Sequence, residues 1–203
     1  MLRKLTDKIN YTAIELNAMN RLTPFEKGQW TATTQPVKSD VKIIKERVKF
    51  ELNRFQRHCV YCGALLWDSS NPEIEHIAPK YKYPEFMYHE YNLVFACHLC
   101  NGFFRKGKKD TIEDYDTQYD KCTFKIVHPY FDDFNVHFSY THTTIHKLVI
   151  VPLTMKAINS VEMFDLNDLP RVEARGKRLI AESITLTPDQ ERMLREIVEY
   201  KYS

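Results

Sequence analysis

The sequence contains little glycine and no long apolar run. Only five of its 203 residues are glycine, which argues against a low-complexity or linker-dominated chain. The apolar run at residues 148–151 is far too short to cross a membrane, because a spanning helix needs about 20 apolar residues. The start, Met1 to Lys4, leads into no apolar stretch that could serve as a signal peptide, so we expect none. A cytoplasmic protein without membrane contact is the default expectation.

The chain also has little excess charge of either sign. Its net charge of +2 does not by itself indicate a nucleic-acid binder, so any electrostatic argument depends on where the charges lie. Hydrophobic content of 43% and charged content of 28% are typical of a globular protein. The length suits one ordinary domain with extensions.

Residues 39–55 are predicted to form an amphipathic helix with a basic outer face. Apolar residues recur at steps of three and four, the period of one helix face: Val41, Ile44, Val48, Leu52 and Phe55. Ser39 stands where it could cap this helix. The outward positions and flanks carry basic residues: Lys38, Lys42, Lys45, Arg47, Lys49, Arg54 and Arg57. This stripe could lie along a phosphate backbone or could simply be a solvated helix face.

Four of the five cysteines form two C-x-x-C pairs. The pairs are Cys59 with Cys62 and Cys97 with Cys100, a spacing typical of two knuckles that supply four thiolates to one zinc ion. A redox C-x-x-C expects a thioredoxin-like βαβ setting, which this sequence does not supply. A four-thiolate site has no open position, so the zinc is predicted to be structural. Cys122 is predicted to be a buried small hydrophobe.

The order of motifs between and around these pairs resembles the HNH nuclease family. The motifs are C-x-x-C, E-H-x-x-P-K, Y-P, an aromatic residue before N-L-V-x-A-C, and C-N, within residues 59–109. More narrowly, they resemble the four-cysteine HNH proteins associated with Septu and retron anti-phage systems. The resemblance implies an α+β fold with a ββα-metal core, stapled by the zinc site, with flanking helices and a small C-terminal α/β extension.

The resemblance also implies a catalytic site distinct from the zinc. His76 would be the general base, and Asn92 would hold the loop and orient that histidine. Glu75 and Asn101 would bind a catalytic cation, and their oxygen donors favour Mg²⁺ or Mn²⁺. Glu73 competes with Glu75 for this role, because side chains two apart on a strand share a face.

Basic residues near the motif are candidates for phosphate binding. The family pattern expects a lysine where this chain has Phe104, and basic residues follow one position later. The candidates are Lys80, Arg105, Lys106, Lys108 and Lys109. The alternative is a solvated helix end, where cations are favoured anyway.

We predict three regions along the chain. Residues 1–57 would be an N-terminal helical extension, residues 58–110 the nuclease core, and residues 111–203 a C-terminal α+β extension. Within the core, brief strands are expected at residues 73–77 and 93–96, followed by a helix that begins near Cys97.

The flanking regions are predicted in less detail. A weaker helical pattern covers residues 1–22, and residues 23–36 resemble a connection. Strands are expected at residues 124–127 and 146–151, and a helix at 168–182 with three apolar residues inward: Val172, Leu179 and Ile180. A final helix has a cap at Thr187, a proline at 188 and a capping-box glutamine at 190. Its apolar stripe, Leu194, Ile197 and Val198, is predicted to be core, and His142 and His146 to be ordinary surface residues.

The leading interpretation is a divalent-metal endonuclease that cuts DNA. By resemblance, it would be the effector of a bacterial anti-phage system, and its partner would be a separate ATPase. One alternative is a non-catalytic zinc module that binds nucleic acid or a protein. Another is a stand-alone restriction or homing nuclease, although the flanks contain no recognisable DNA-reading module.

Overall fold

The chain folds into a mixed arrangement of helices and short antiparallel strands. The computed structural model describes residues 2–67, 71–140 and 148–200, with the backbone alone at 182, 194 and 197–200. The helices are α1 (Ala13–Leu22), α2 (Val37–Phe55), α3 (His98–Asn101), α4 (Phe134–His137), α5 (Met155–Phe164), α6 (Leu169–Ser183) and α7 (Pro188–Tyr200). The strands are β1 (Glu73–His76), β2 (Leu93–Ala96), β3 (Phe138–Tyr140) and β4 (Ile150–Pro152). Single-turn 3-10 helices lie at Gln29–Thr31, Pro84–Phe86 and Tyr119–Lys121. The α+β prediction is confirmed.

The strands β1 and β2 form a two-stranded antiparallel sheet. Glu73 lies opposite Ala96, and His76 lies opposite Leu93. All four residues of β2 are buried, which suits its continuous apolar sequence. Both strands agree with the prediction. The helix expected near Cys97 begins at His98, with Cys97 at its N-cap, but is only four residues long.

The helix α2 packs its predicted apolar face against the core. Four of the five predicted residues are buried, and Phe55 is half-buried against them. The helix begins at Val37, two residues before the cap predicted at Ser39. Pro36 occupies the N-cap position, and the Ser39 hydroxyl donates instead to the side-chain carbonyl of Gln35, at 2.6 Å.

The N-terminal helix is shorter than the sequence pattern predicts. A capping box at Thr12 fixes its start, because the Thr12 backbone N–H donates to Glu15 Oε2 at 2.7 Å. Ile14 and Leu16, which belong to the predicted apolar pattern, are exposed, whereas Ala18 and Leu22 are buried. The capping chemistry therefore sets the boundary more strongly than the apolar spacing does.

The C-terminal region differs from the prediction in its strands and in one helix face. Residues 124–127 do not form a strand, and Phe124 makes only an isolated bridge to Ile112. The strand β4 begins at Ile150 and pairs with β3, for which no strand was predicted. Among the described side chains of α6, Arg175 is buried, whereas Ile180 is 65% exposed.

The remaining predictions for this region have mixed outcomes. The helix predicted at residues 168–182 is α6, and Asp168 caps it. At α7, Thr187 and Gln190 form the predicted reciprocal cap at 2.9 and 3.3 Å. His142 and His146 lie outside the described residues, as do the side chains of Leu194, Ile197 and Val198.

One cluster of buried apolar side chains extends from Ile9 to Leu166. Cys122 belongs to it, as predicted for a small buried residue. In the part of the chain that the structure describes, every helix is too short or too polar to cross a membrane. The division into three regions stays a prediction.

Candidate metal centre and adjoining cavity

The two cysteine pairs come together in a single buried cluster. The Sγ atoms of Cys59, Cys62, Cys97 and Cys100 all lie within 4.8 Å of one another. The Sγ atoms of Cys62 and Cys97 are 3.8 Å apart. Two thiolates bound to zinc at about 2.3 Å with tetrahedral angles would be separated by about 3.8 Å. The donor set and its spacing therefore fit a metal ion such as zinc.

Tight turns present both pairs to this cluster. The Gly63 backbone N–H donates to the Cys59 carbonyl at 2.9 Å, and Gly63 has a φ of +70°, a conformation that glycine adopts without strain. In the second pair, the Cys100 N–H donates to the Cys97 carbonyl at 3.0 Å. The C-x-x-C spacing thus produces two turns whose thiols converge.

The four thiols divide into two with lowered pKa values and two, Cys59 and Cys100, with raised pKa values, and a cation lies beside them. Hydrogen bonds from neighbouring thiols, first that of Cys100, hold the pKa of Cys62 well below its usual range and lower the pKa of Cys97 to about 7. Burial opposes the charge of Arg171, but the attraction of Cys100 and Cys62 raises its pKa above the usual value. Arg171 belongs to α6, so the C-terminal region contributes to the electrostatics of the metal centre.

Further contacts hold α5 and α6 against the first knuckle. The rings of Tyr61 and Phe164 stack with their centroids 4.0 Å apart. The Arg178 guanidinium donates to the Gly63 carbonyl. Arg105, a predicted phosphate ligand, instead pairs with two carboxylates of this region, Asp165 and Asp168.

His76 ends β1 and is buried beside a tryptophan. His76 is only 2% exposed. Its ring packs edge-on against the ring of Trp30, with the two centroids 4.5 Å apart. Neither ring nitrogen makes a hydrogen bond of normal geometry to the described residues, although the Met87 backbone acts to raise the pKa of the ring. Burial first, and then the charges of Lys80 and Lys106, hold the pKa of His76 well below its usual value. The ring is therefore neutral at neutral pH.

Glu75 is paired with a buried lysine. The Lys106 ammonium lies 3.1 Å from Glu75 Oε1 and donates to the His76 carbonyl at 3.2 Å. Burial raises the pKa of Glu75, whereas the charge of Lys106 acts to lower it. Lys106 was predicted to bind phosphate, but its side chain is fully buried in this pair.

A cavity of about 200 Å³ opens beside Glu75 and His76. Its walls come from the single-turn helix at Gln29–Thr31 with the preceding glycine, from β1, from the loop after β1 and from the residues after α3. The lining residues are Gly28, Thr31, Glu75, His76, Pro79, Lys80, Tyr81, Gly107 and Lys108. Lys108 also lies 4.7 Å from the centroid of the Tyr81 ring. Of the five predicted phosphate ligands, Lys80 and Lys108 line the cavity, while exposed Lys109 donates to the Phe104 carbonyl at 3.1 Å.

Asn92 is fully buried and holds the loop between the strands. Its Oδ1 accepts from the Ala78 N–H at 2.7 Å, and its Nδ2 donates to the carbonyls of Ala78 and Phe86 at 3.2 and 2.9 Å. The Tyr119 hydroxyl also donates to Oδ1, at 3.0 Å. The side chain therefore fixes both sides of the loop that follows His76.

Asn101 contacts Glu73 rather than Glu75 in this structure. Its Nδ2 donates to Glu73 Oε2 at 2.7 Å, and the other oxygen of Glu73 lies 2.7 Å from His98 Nδ1. The two carboxylates of β1 thus have separate partners. Glu75 lies at the cavity, and Glu73 lies at the start of α3.

Trp30 is a site residue that the sequence did not reveal. It lies in a polar stretch that resembled a connection, yet it is buried and lies against His76. The residue type was the available signal. A tryptophan side chain is large and apolar, so within a polar segment it is expected to pack against the rest of the protein.

Comparison with protein-family models gives no match for this chain, and comparison with curated proteins likewise finds none. The resemblance to HNH nucleases therefore depends on the order of motifs in residues 59–109.

Proposed function

We propose that this protein is an HNH-type, metal-dependent endonuclease that hydrolyses phosphodiester bonds in DNA, with His76 as the general base. One observation carries the proposal. A buried histidine whose ring nitrogens make no hydrogen bond of normal geometry to the described residues lines a cavity together with a carboxylate and two lysines. A histidine that served only packing would be expected to have its polar atoms satisfied. The order of β1, β2 and α3 agrees with a ββα core.

The residues at the cavity can perform the required proton transfer. Neutral His76 would take a proton from a water molecule, whose oxygen then forms a bond to phosphorus. The bond from phosphorus to the leaving oxygen breaks, and that oxygen takes a proton from solvent. The ammonium groups of Lys80 and Lys108 would stabilise the negative charge on the other phosphate oxygens. The products are a phosphate monoester and an alcohol.

Glu75 and Asn101 would hold a divalent cation, Mg²⁺ or Mn²⁺. When bound, such a cation supplies positive charge to the phosphate and the leaving oxygen. Glu75 lines the cavity, and an Asn101 amide oxygen is a hard donor of the same class. Glu73 is the competing carboxylate, because it already contacts Asn101. The four thiolates would hold zinc in a closed structural site.

The proposal is tested by plasmid cleavage. We expect wild-type protein to cut DNA in Mg²⁺ or Mn²⁺, and His76→Ala to lower the rate by about 10²–10⁴-fold with unchanged zinc content. His137→Ala is the matched control, because that histidine contacts Thr154 and Asp132 rather than the cavity. Unchanged cutting by His76→Ala would overturn the assignment of the base.

A non-catalytic zinc module is the second candidate function. It is favoured by the pairing of Glu75 with Lys106 and of Asn101 with Glu73, because both proposed cation ligands already have protein partners. Titration of zinc-loaded protein with Mn²⁺ separates the two candidates. Binding of Mn²⁺ that is weakened by the substitution Glu75→Gln would support the nuclease. Absence of Mn²⁺ binding, even with DNA present, would support the zinc module.

The resemblance to anti-phage HNH proteins leads us to propose a cytoplasmic defence role with a separate ATPase as partner. Co-purification of the chain from its native source, followed by identification of any ATPase bound to it, tests this proposal. A chain that purifies from its native source without any ATPase would contradict the partnership.

A further inference from the structure

A groove lined by lysines runs along the outer face of α2. Its volume is about 400 Å³. One wall is formed by Trp30, Thr31 and Ala32, and the other by residues of α2: Lys38, Val41, Lys42, Lys45, Glu46 and Lys49. We call this surface the lysine groove. It contains four lysines and a single acid.

The cations of the lysine groove are mostly without counter-ions. Lys42 lies 3.7 Å from Glu46, but Lys38, Lys45 and Lys49 form no ion pair within the described parts of the chain. Elsewhere on the same helix, Arg47 and Arg54 both pair with the buried Glu51. The unpaired charges of α2 are thus concentrated on the groove side.

The lysine groove adjoins the cavity that contains His76. Thr31 lines both, and Trp30, which lines the groove, contacts His76 of the cavity. The Lys45 ammonium lies 4.6 Å from the centroid of the Trp30 ring. The centroids of the Trp30 and His76 rings are 4.5 Å apart. Burial lowers the pKa of Lys45, and the charges of Lys80 and Lys49 lower it further. Groove and cavity therefore share one positive field, whose internal repulsion a polyanion would relieve.

We propose that the lysine groove binds the sugar-phosphate backbone of DNA next to the phosphate that is cut, without regard to base sequence. This inference rests on the proposed function, because it extends the same substrate from the cavity onto α2. The lysines at positions 38, 42, 45 and 49 follow one helix face over about 16 Å, at about 1.5 Å per residue. A surface of that length suits a polymer and exceeds what a mononucleotide needs.

The side chains of the groove explain why recognition would be independent of sequence. Lysine binds phosphate as a point charge, whereas the planar fork of arginine suits guanine edges and the amides of asparagine and glutamine make two hydrogen bonds to adenine. The groove walls contain none of these three residue types among their described members. Phosphate contacts set position and affinity but carry no sequence information.

The test measures DNA binding without added divalent cation, so that no cutting occurs. Fluorescent duplexes of two unrelated sequences are titrated with wild-type protein and with the triple variant Lys38→Gln, Lys42→Gln, Lys49→Gln over a range of salt concentrations. The matched control, Lys4→Gln, Lys121→Gln, Lys177→Gln, removes the same charge from exposed lysines outside the groove. Zinc content and thermal unfolding establish that all three proteins are folded.

We expect the groove variant to bind both duplexes roughly 10- to 100-fold more weakly at about 0.1 M salt, and its log-log salt slope to be smaller by about 2 to 3. The control should resemble wild type. Equal binding by the groove and control variants would overturn the inference, as would a wild-type preference of more than about tenfold between the two duplexes. Weaker DNA binding by the groove variant, together with no cutting by wild-type protein in Mg²⁺ or Mn²⁺, would instead keep the groove and refute the nuclease assignment.

Discussion

The ammonium of Lys106 lies 3.1 Å from Glu75 Oε1, and both side chains are buried. The same ammonium donates to the carbonyl of His76, so one cation supports both residues at the end of β1. Burial favours the neutral form of Glu75, and Lys106 opposes that effect. The charge of Glu75, which cation binding requires, therefore depends on a lysine that the sequence suggested for phosphate binding.

Replacement of Lys106 by methionine should destabilise the protein. The variant keeps most of the side-chain volume but leaves Glu75 buried without its cation, which costs about 3–5 kcal/mol for a buried pair. Urea unfolding of both proteins at neutral pH measures the difference. Lys109→Met, at an exposed lysine, is the control and should change stability by less than about 0.5 kcal/mol. A similar small change for Lys106→Met would show that the pair contributes little.

The loop held by Asn92 depends on a buried chain of hydrogen bonds. His128 Nδ1 accepts from the Tyr130 N–H at 3.3 Å, so its Nε2 carries the proton and donates to the Tyr119 hydroxyl at 2.9 Å. That hydroxyl donates to Asn92 Oδ1. The C-terminal region thus supports the loop that follows His76.

Tyr119→Phe should lower the free energy of unfolding by about 1–3 kcal/mol, because it leaves the buried Nε2–H of His128 without an acceptor. Denaturant unfolding measures this change. Tyr115→Phe is the matched control, since the Tyr115 hydroxyl contacts only Glu85 at the surface among the described residues. Equal stabilities for the two variants would contradict the proposed network.

The protein should lose stability as pH falls from about 7, in part through His128. Burial, first, and then the charges of Lys156, His89 and Lys4 hold the pKa of His128 well below its value of 6.5. Below pH 6.5 the unfolded chain takes up a proton at this position while the folded chain does not, so unfolding becomes easier. His76 and His89 act in the same direction.

His128→Gln removes this titration. Between pH 6.5 and the pKa of His128 in the folded protein, the free energy of unfolding should change less steeply with pH in the variant than in the wild type. The difference in slope should be up to about 1.4 kcal/mol per pH unit. Thermal unfolding over a pH series measures both slopes. An unchanged slope would contradict this account, because it would show that His128 binds its proton alike in the folded and unfolded chain.

Zinc should be bound by the four clustered thiols and not by the fifth cysteine. We expect about one zinc ion per chain in the wild type and in Cys122→Ala, and a large loss of zinc in Cys100→Ser. Since structural zinc contributes folding free energy directly, Cys100→Ser should also unfold at lower temperature. Metal analysis and thermal unfolding provide the readouts. Full zinc occupancy in Cys100→Ser would contradict the four-thiolate site.

Local features of this chain could be predicted from the sequence. The two C-x-x-C turns, the strands β1 and β2, and the cap at Thr187 depend on residues close together in the chain. Their spacing alone therefore indicates the local geometry. The buried face of α2 was predictable for the same reason, because helical periodicity is a local signal.

Contacts between distant segments could not be predicted in this way. Trp30 lies against His76, Lys106 against Glu75, and Arg171 near the cysteine cluster, and no periodic pattern connects these pairs. In α6 the apolar residue Ile180 is exposed while Arg175 is buried, where its guanidinium donates to the carbonyl of Leu148 at 2.5 Å. Tertiary hydrogen bonding thus overrides the apolar pattern of that helix.

Chemical rescue of a His76 variant tests the central claim most directly. His76→Gly leaves a space beside Trp30 that free imidazole can enter. With saturating DNA and Mn²⁺, and with zinc content and thermal unfolding as checks of the fold, the variant should be inactive alone and should regain cleavage as imidazole is added. Wild-type protein should show no such stimulation. Cleavage by His76→Gly at the wild-type rate without imidazole would contradict the account of His76 as the base.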